Sequence, residues 1–353
     1  MPTFVELVQP KVETAVARGL FALPGPAKRL LAGSPISVDG QRLALEAQLL
    51  LKLQQLGGQH GLSASNAEVA RAAMRRGSGL FGSARVPGVV VADRSIPGPH
   101  GALNARVYRP RELTEPGDLL VFYHGGGWVI GDLDTHDDLC RFLARHAGVR
   151  VLSVEYRLAP EFPFPAAYDD ALHAYRFAVE HAEELGSSRE RIAVGGDSAG
   201  GNLAASVAVH AATGGLPRPS FQLLIYPAVD ATTRRPSREL FGNGFLLTDG
   251  DMDWFMGQYA PSLDERGDPR LSVLLAEDVS AAPPAHVVTA GFDPLRDEGE
   301  AYAERLADAG VPVVTRRFPD LIHGFASLGA VGGRFREALF EIAGALRAGL
   351  ALR

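Results

Sequence analysis

The sequence predicts an α/β fold with a mainly parallel central sheet flanked by helices and preceded by a helical region. Three observations support this prediction. Short apolar runs recur between residues 119 and 318, helical patterns separate most of these runs, and the first 85 residues show helical patterns. Strands that alternate with helices form βαβ units, and the parallel sheets that these units build are buried on both faces.

Residues 1–85 are predicted to form the helical region. An amphipathic helix over residues 4–31 is expected to pack on the protein itself rather than on a membrane surface. A leucine-rich helix follows and ends at Gly57-Gly58, a third helix is expected over about 65–76, and the chain is expected to become flexible around Gly77–Gly82. Such a region cannot bury its apolar face alone, so it must lie against another part of the protein.

Residues 86–353 are predicted to form the α/β domain. Two apolar runs flank the turn-rich stretch at 97–101 and indicate an antiparallel pair. Six further strands are expected at 119–123, 149–155, 191–195, 221–226, 285–290 and 311–318. Helices are expected at about 135–147, 166–185, 199–212, 296–309 and 332–350. This order of elements indicates a sheet covered by helices on both faces.

One connection, over residues 231–282, is far longer than the usual link between two strands. Connections of this length are commonly functional insertions. Thr248-Asp249 predicts the start of a helix, because threonine is a common N-cap residue, and Trp254 and Phe255 follow it. Aromatic side chains on a short helix need a covering surface or a ligand, so this insertion is expected to contribute to a binding site.

The composition excludes several classes of function. The net charge is −6 and basic residues form no block, so we expect no binding to nucleic acid. Cys140 is the single cysteine, which rules out a disulfide within the chain and is compatible with a cytoplasmic location. No apolar stretch reaches the roughly 18 residues of a membrane span. His136 stands beside two aspartates, but adjacent helical positions point apart, so we expect neither a metal nor a cofactor.

Gly196-Asp197-Ser198-Ala199-Gly200 follows one predicted strand and opens a predicted helix. A serine at such a sharp strand-to-helix turn is exposed for attack, and small residues two positions away on each side let the neighbouring backbone pass. The helix N-terminus beside it favours developing negative charge. Ser198 is therefore the candidate nucleophile. Asp197 is expected to structure the turn without a chemical role.

His124-Gly125-Gly126-Gly127-Trp128 follows the strand at 119–123. Three glycines in succession expose backbone N–H groups without side chains in the way, as an oxyanion hole requires. A phosphate-binding loop is the alternative, but the Lys-Ser/Thr pair of a P-loop is missing. The run thus indicates stabilisation of an oxyanion.

A serine at its ordinary pKa needs a base, and that base needs an orienting acid. On α/β-hydrolase scaffolds the chain order is serine, acid, histidine. His323 is the single histidine beyond residue 286 and follows the last predicted strand. Asp293 follows an earlier strand, whereas Asp297 and Glu298 compete for its role from within the next helix. Asp293 is the preferred acid.

At these residues the chain resembles the bacterial hormone-sensitive-lipase family of esterases, the family IV carboxylesterases of the α/β-hydrolase superfamily. The resemblance rests on HGGGW at 124–128, YRLAPEFPFPAA at 156–167, GDSAGGN at 196–202, DPLRDEG at 293–299 and HGF at 323–325. It extends from about Leu31 to the C-terminus.

The resemblance implies a serine esterase acting on short- to medium-chain carboxylic acid esters. It implies oxyanion donors at the N–H groups of Gly126, Gly127 and Ala199. It further implies a helical cap, built from residues 1–85 and part of 231–282, over a substrate pocket. The pocket is expected to contain Trp128, Trp254 and Phe255. Members of the family often form homodimers through the last strand and its neighbouring helix.

Two alternatives stay open on the sequence. The same triad could act on another bond, as an amidase, lactonase or deacetylase does, because the attacking chemistry is shared. A ligand receptor on the same scaffold is the other alternative, since fold does not fix function. It is disfavoured by the presence of Ser198, Asp293 and His323 together.

Overall fold

The computed structural model describes residues 15–16, 18–58, 61–81 and 86–352. The strands are β1 (Ser37–Val38), β2 (Gln41–Arg42), β3 (Val89–Gly98), β4 (Gly101–Pro110), β5 (Leu119–Tyr123), β6 (Arg150–Glu155), β7 (Ile192–Asp197), β8 (Gln222–Ile225), β9 (Ala285–Phe292) and β10 (Val313–Ile322). The labelled helices are α1 (Gly25–Ala32), α2 (Leu45–Leu56), α3 (Ala67–Phe81), α4 (Asp137–Leu143), α5 (Ala166–Glu180), α6 (Ala199–Thr213), α7 (Pro236–Phe241), α8 (Asp249–Tyr259), α9 (Leu263–Arg266), α10 (Arg296–Asp308) and α11 (Gly333–Ala351).

The main sheet has eight strands in the order β10-β9-β8-β7-β5-β6-β4-β3. Six of the eight strands, β5 to β10, run parallel to one another, while β4 pairs antiparallel with both β6 and β3. This arrangement confirms the predicted α/β class. Carboxyl ends of parallel strands meet at one edge of a sheet, where ligands bind in open α/β folds. The segments that follow β5, β7, β9 and β10 therefore lie at the same edge.

Two apolar cores lie on the two faces of this sheet. In β5 the side chains of Leu119, Val121 and Tyr123 belong to one buried cluster, and those of Leu120 and Phe122 belong to the other. Successive side chains of a strand point to opposite faces, so a strand covered on both sides must be apolar throughout. This is why β5 appears in the sequence as an unbroken apolar run.

The helices before β3 pack on both cores. Leu49 and Leu50 of α2 join the cluster that contains α11, whereas Ala67 and Ala70 of α3 join the other. Of the helix predicted over 4–31, residues 15–16, 18–22 and α1 are helical, residues 23–24 interrupt it before α1, and residues 1–14 and 17 lie outside the described residues. Within the described part of the chain, every helix is too short or too polar to span a bilayer.

The prediction that the chain becomes flexible from Gly77 was wrong up to Phe81, because α3 continues to that residue. Glycine weakens a helix by about 1 kcal/mol, but tertiary contacts override such a preference. The ring of Phe81 packs edge-on against Phe21, and its carbonyl accepts a hydrogen bond from the N–H of Ala330. Residues 82–85 lie outside the described residues.

Candidate active site

Ser198 lies on the turn between β7 and α6. Its φ is +57°, a left-handed conformation that is strained for a residue with a side chain. The N–H of Ser198 donates to the carbonyl of Ile225, 2.9 Å away, and holds the turn. A Cβ at Gly200 would lie 1.9 Å from the carbonyl oxygen of Tyr123, and one at Gly196 would lie 2.3 Å from that of Gly200. The two glycines are therefore needed because backbone passes within contact distance of both.

His323 and Asp293 lie beside this serine. The Nε2 atom of His323 is 2.9 Å from the Oγ atom of Ser198, and its Nδ1 atom is 2.8 Å from Oδ2 of Asp293. The other oxygen of Asp293 accepts a hydrogen bond of 2.8 Å from the N–H of Leu295, which fixes the carboxylate. Asp293 and His323 are both buried. The three side chains thus form one continuous hydrogen-bonded chain.

The two acids that compete with Asp293 in the sequence point elsewhere. Asp297 accepts from the N–H of Ser237 and pairs with Arg296. Glu298 accepts a hydrogen bond of 2.7 Å from the N–H of Val229. Burial raises the pKa of the Glu298 carboxyl to about 8. Neither carboxyl has a hydrogen bond to the histidine among the described contacts.

The glycine loop after β5 folds back beside Ser198. Gly126 has a φ of +121° and accepts from the N–H groups of Val129 and Ile130, so that the chain turns sharply. A Cβ at Gly127, whose φ is +58°, would lie 2.3 Å from the ring of Phe255. Among the hydrogen bonds of the described residues, none is donated by the backbone N–H of Gly126, Gly127 or Ala199. All three residues line the cavity that contains Ser198.

Asp197 and His136 join the glycine loop to the serine turn. Oδ1 of Asp197 accepts a hydrogen bond of 2.9 Å from the N–H of Gly125. The Nε2 atom of His136 lies 3.3 Å from the same carboxylate oxygen. Burial acts to raise the pKa of Asp197, but His136, His124 and the Gly125 N–H together lower it below its usual value. No spacing in the sequence predicts this contact, because the burial of His136 depends on how residues 129–135 fold back.

His124, which precedes the three glycines, is fully buried. Its ring stacks on Tyr156 with the centroids 4.3 Å apart, and its Nδ1 atom is 2.8 Å from the carbonyl of Gly125. The hydroxyl of Tyr156 donates to the His124 carbonyl over 2.7 Å. Burial lowers the pKa of His124 to about 4, so its ring is neutral at physiological pH. These contacts explain why a histidine precedes the glycines, and they give it a structural function.

A cavity of about 1180 Å³ opens above Ser198. One wall is α3, through residues such as Ala70 and Met74, and the opposite wall is α8. Six aromatic and methionine side chains line it: Trp128, Trp254, Phe255, Met74, Met252 and Met256. The three aromatic residues are those that the family resemblance implied for the pocket. The Trp128 ring stacks on Tyr259 at 4.7 Å. The cavity is therefore largely apolar, apart from the polar groups around the serine and charged side chains such as Arg75, Arg238 and Asp253.

No metal site accompanies this cavity within the described residues. Residues 15–16, 18–58, 61–81 and 86–352 contain no group of three or more His, Cys, Asp or Glu side chains that could hold a metal ion. Asp137, beside His136 in the sequence, accepts instead from Tyr108 and pairs with Arg141. The arrangement can supply a serine hydroxyl hydrogen-bonded to a histidine and a carboxylate, together with backbone N–H groups, around a largely apolar cavity.

Comparisons with known proteins give one consistent result. A family model described as "alpha/beta hydrolase fold" matches residues 120–327. The carboxylic ester hydrolase LipN of Mycobacterium tuberculosis is 48% identical to this chain, covering 97% of this chain and 93% of its own. Ethyl acetate hydrolase of Pseudomonas putida is 41% identical over 86% of this chain and 97% of its own. The solved structure of ester-hydrolase EH1AB1 from the metagenome of Lake Arreo, complexed with a bipyridine phosphonate derivative, is 42% identical, covers 87% of this chain and 98% of its own, and superposes with a TM-score of 0.84.

Proposed function

Because this chain belongs to the hormone-sensitive-lipase family of α/β hydrolases and is a carboxylic ester hydrolase, we propose that Ser198, His323 and Asp293 are its catalytic triad. The observation that carries the proposal is the hydrogen-bonded chain from the Ser198 hydroxyl through the His323 ring to the buried Asp293 carboxylate. Because the chain is an enzyme, the receptor alternative no longer applies.

The first half of the proposed reaction forms an acyl-enzyme. Ser198 Oγ attacks the ester carbonyl while Nε2 of His323, 2.9 Å away, accepts its proton. Asp293 accepts from Nδ1–H, which keeps Nε2 free as the base and stabilises the positive charge on the ring. The bond to the alcohol then breaks, and His323 returns the proton to the departing alkoxide. In the second half, His323 takes a proton from water, the resulting hydroxide attacks the acyl group, and Ser198 leaves with that proton.

The proposed oxyanion hole consists of the N–H groups of Gly126, Gly127 and Ala199. Support comes from the left-handed turn at the two glycines and from the position of Ala199 at the start of α6. Each donor stabilises charge that develops only in the transition state, and loss of one typically costs about 10²- to 10³-fold in rate.

The proposed substrates are short- to medium-chain carboxylic acid esters. A cavity of about 1180 Å³ lined by aromatic and methionine side chains can hold an apolar acyl group of this size. Trp128, Trp254 and Phe255 are proposed to contact the acyl or alcohol group. A helical cap made of residues 1–85 and part of 231–282, a homodimer through β10 and α11, and a cytoplasmic location also stay predictions. β10 is an edge strand of the sheet, and edge strands are the ones that can pair with a strand of a second copy.

The experiment that tests the proposal measures hydrolysis of p-nitrophenyl esters with acyl chains of two to sixteen carbons. Wild-type protein and Ser198→Ala are compared, with Ser206→Ala as the matched control because Ser206 lies on α6 outside the cavity. We expect wild-type and control to hydrolyse the shorter esters fastest and Ser198→Ala to lose nearly all turnover. Equal rates for wild-type and Ser198→Ala would refute the triad. Anilides of the same acids, tested in parallel, separate an esterase from an amidase.

A further inference from the structure

We propose that Asp197 and His136 are positioning residues that hold the oxyanion loop at a fixed distance from Ser198. This inference rests on the proposed function, since it concerns the efficiency of the same site. The oxyanion loop is defined as residues 124–128. Among the described contacts neither side chain has a hydrogen bond to the Ser198 hydroxyl or the His323 ring, so each acts through the backbone groups that it holds.

Asp197 lies next to the proposed nucleophile in the chain. It is the last residue of β7 and directly precedes Ser198. Its Oδ1 atom accepts from the N–H of Gly125, which directly precedes the donor Gly126. One carboxylate therefore connects the neighbour of the nucleophile to the neighbour of an oxyanion donor. The fit is close, because a Cβ at Gly125 would lie 2.5 Å from Oδ2 of Asp197.

Hydrogen bonds hold the His136 ring in one orientation. The Thr135 hydroxyl donates to the Asp132 carbonyl over 2.9 Å, so the Thr135 oxygen is left to accept from Nδ1–H of His136, also 2.9 Å away. Nε2 then faces the Gly125 N–H and the Asp197 carboxylate, at 3.3 Å from each. The ring is 1% exposed and has no room to turn away. His136 is thus held at both ring nitrogens, beside the backbone N–H that Asp197 binds.

Further hydrogen bonds link Asp197 and His136 to α3. The Asp132 carboxylate accepts from the N–H groups of Asp134 and Thr135 and, over 2.5 Å, from Nε of Arg75 on α3. The neighbouring Arg71 donates to the carbonyl of Val129, which follows the oxyanion loop. Hydrogen bonds therefore run without interruption from a helix that lines the substrate cavity to the carboxylate beside Ser198.

The burial of the Asp197 carboxylate favours a positioning function over simple packing. Burying a carboxylate is costly unless it is hydrogen-bonded and paired. Here the Asp197 carboxylate accepts from the Gly125 N–H and is paired with His136 through Oδ1, and the hydroxyl of Tyr226 donates to Oδ2 over 3.4 Å. Misplacing catalytic donors by about 1 Å can cost 10²-fold in rate, so small shifts of this loop have large effects.

The test compares kcat and KM per active site for Asp197→Asn, Asp197→Ala, His136→Phe and Thr135→Val. Active sites are counted by titration with a p-nitrophenyl phosphonate, and melting temperatures are recorded. His173→Phe is the matched control, because His173 lies on α5 outside the cavity and its Nδ1 atom is 3.1 Å from the carbonyl oxygen of Asp169 on the same helix. A protein that is merely destabilised loses titratable sites but keeps its kcat per site.

We expect kcat per site to fall about 10- to 100-fold in Asp197→Ala and His136→Phe, with KM changed less than about threefold. Asp197→Asn keeps an oxygen that can accept from Gly125 and should recover most of the loss. Thr135→Val frees the ring without creating a cavity and should give a smaller loss in the same direction. The near-isosteric Asp197→Asn and Thr135→Val keep the test informative if the larger changes prevent folding.

Two results would overturn the inference. The first is an unchanged kcat per site in all four variants, with only fewer sites or a lower melting temperature. The second is an equal loss in Asp197→Asn and Asp197→Ala, since the acceptor would then not matter. Either result leaves the triad intact if Ser198→Ala is inactive. Turnover that survives in Ser198→Ala would remove the proposed function and this inference together.

Discussion

Replacing Gly127 with alanine tests how closely the oxyanion loop and α8 are fitted to each other. The residue has a φ of +58°, and a left-handed conformation costs a non-glycine residue about 1–2 kcal/mol. The added Cβ would lie 2.3–2.4 Å from two ring carbons of Phe255, whereas carbon atoms normally approach to about 3.5–4.0 Å. Loop or ring must therefore move by about 1 Å, and overpacking of this kind costs about 1–3 kcal/mol.

The expected cost of Gly127→Ala is then about 2–5 kcal/mol, shared between stability and transition-state binding. If the loop moves, the N–H donors move with it, and kcat should fall about 10²- to 10³-fold. If the ring of Phe255 moves, the loss appears as a lower free energy of unfolding. The assay is therefore paired: p-nitrophenyl ester kinetics per titrated site, and urea unfolding on the same preparations.

A double-mutant cycle separates the clash from the backbone strain. Phe255→Ala removes the ring, so the combined variant should lose less than the sum of the two single losses, by about 1–3 kcal/mol. Gly257→Ala on the same helix is the control, because its Cβ would meet nothing within 4 Å and it should be neutral or slightly stabilising. Additive losses in the cycle, or a Gly127→Ala variant with wild-type kcat and stability, would refute the contact between loop and helix as the determining constraint.

Three further predictions concern single side chains. Asp293→Asn should lower kcat by up to about 10⁴-fold with little change in melting temperature, because an amide N–H₂ group facing Nδ1 of His323 favours the wrong tautomer; a loss below about tenfold would contradict the assignment of the acid. The Glu298 pKa is raised to about 8 in the fold, so the folded protein binds the extra proton and its stability falls as pH rises from about 4.5 through about 8; Glu298→Gln should remove this slope in melting temperature, and an unchanged slope would show that Glu298 is not its source. Trp254→Ala should shift the preferred p-nitrophenyl ester to longer acyl chains by enlarging the cavity, whereas an identical chain-length profile would place the acyl group elsewhere.

The fold was predictable because its signals are local. The apolar run of β5 and the alternation of strands and helices follow from burial on both sheet faces, which each segment displays by itself. The strand-to-helix turn at Ser198 was predictable for the same reason, since close backbone contacts restrict both flanking positions to glycine. The end of α3 was not, because Gly77 and Gly79 favour a helix end locally while the contacts of Phe81 with distant residues keep the helix intact.

The candidate site was predictable as a set of residue types but not as a network. Chain order pointed to Ser198, Asp293 and His323, whereas nothing in the sequence distinguished Asp297 and Glu298 from Asp293 except their distance from the strand end. In the structure Asp297 and Glu298 accept from the N–H groups of Ser237 and Val229, whereas Asp293 contacts the ring of His323, so each acid is paired with a different distant segment. Such pairings are tertiary, and no periodicity in the sequence encodes them.

The shape of the cavity depends on a contact of the same kind. Asp251 forms a capping box with Thr248, which the sequence pattern at the start of α8 indicates. Its Oδ1 atom also accepts, over 2.7 Å, from the N–H of Ser63, which is 188 residues away in the chain. This bond ties the segment before α3 to α8, and α8 in turn presses Phe255 against Gly127 of the oxyanion loop. The two walls of the cavity and the proposed oxyanion donors are thereby set by one chain of contacts. A change in the N-terminal helical region should therefore alter both the chain-length preference and the rate of ester hydrolysis.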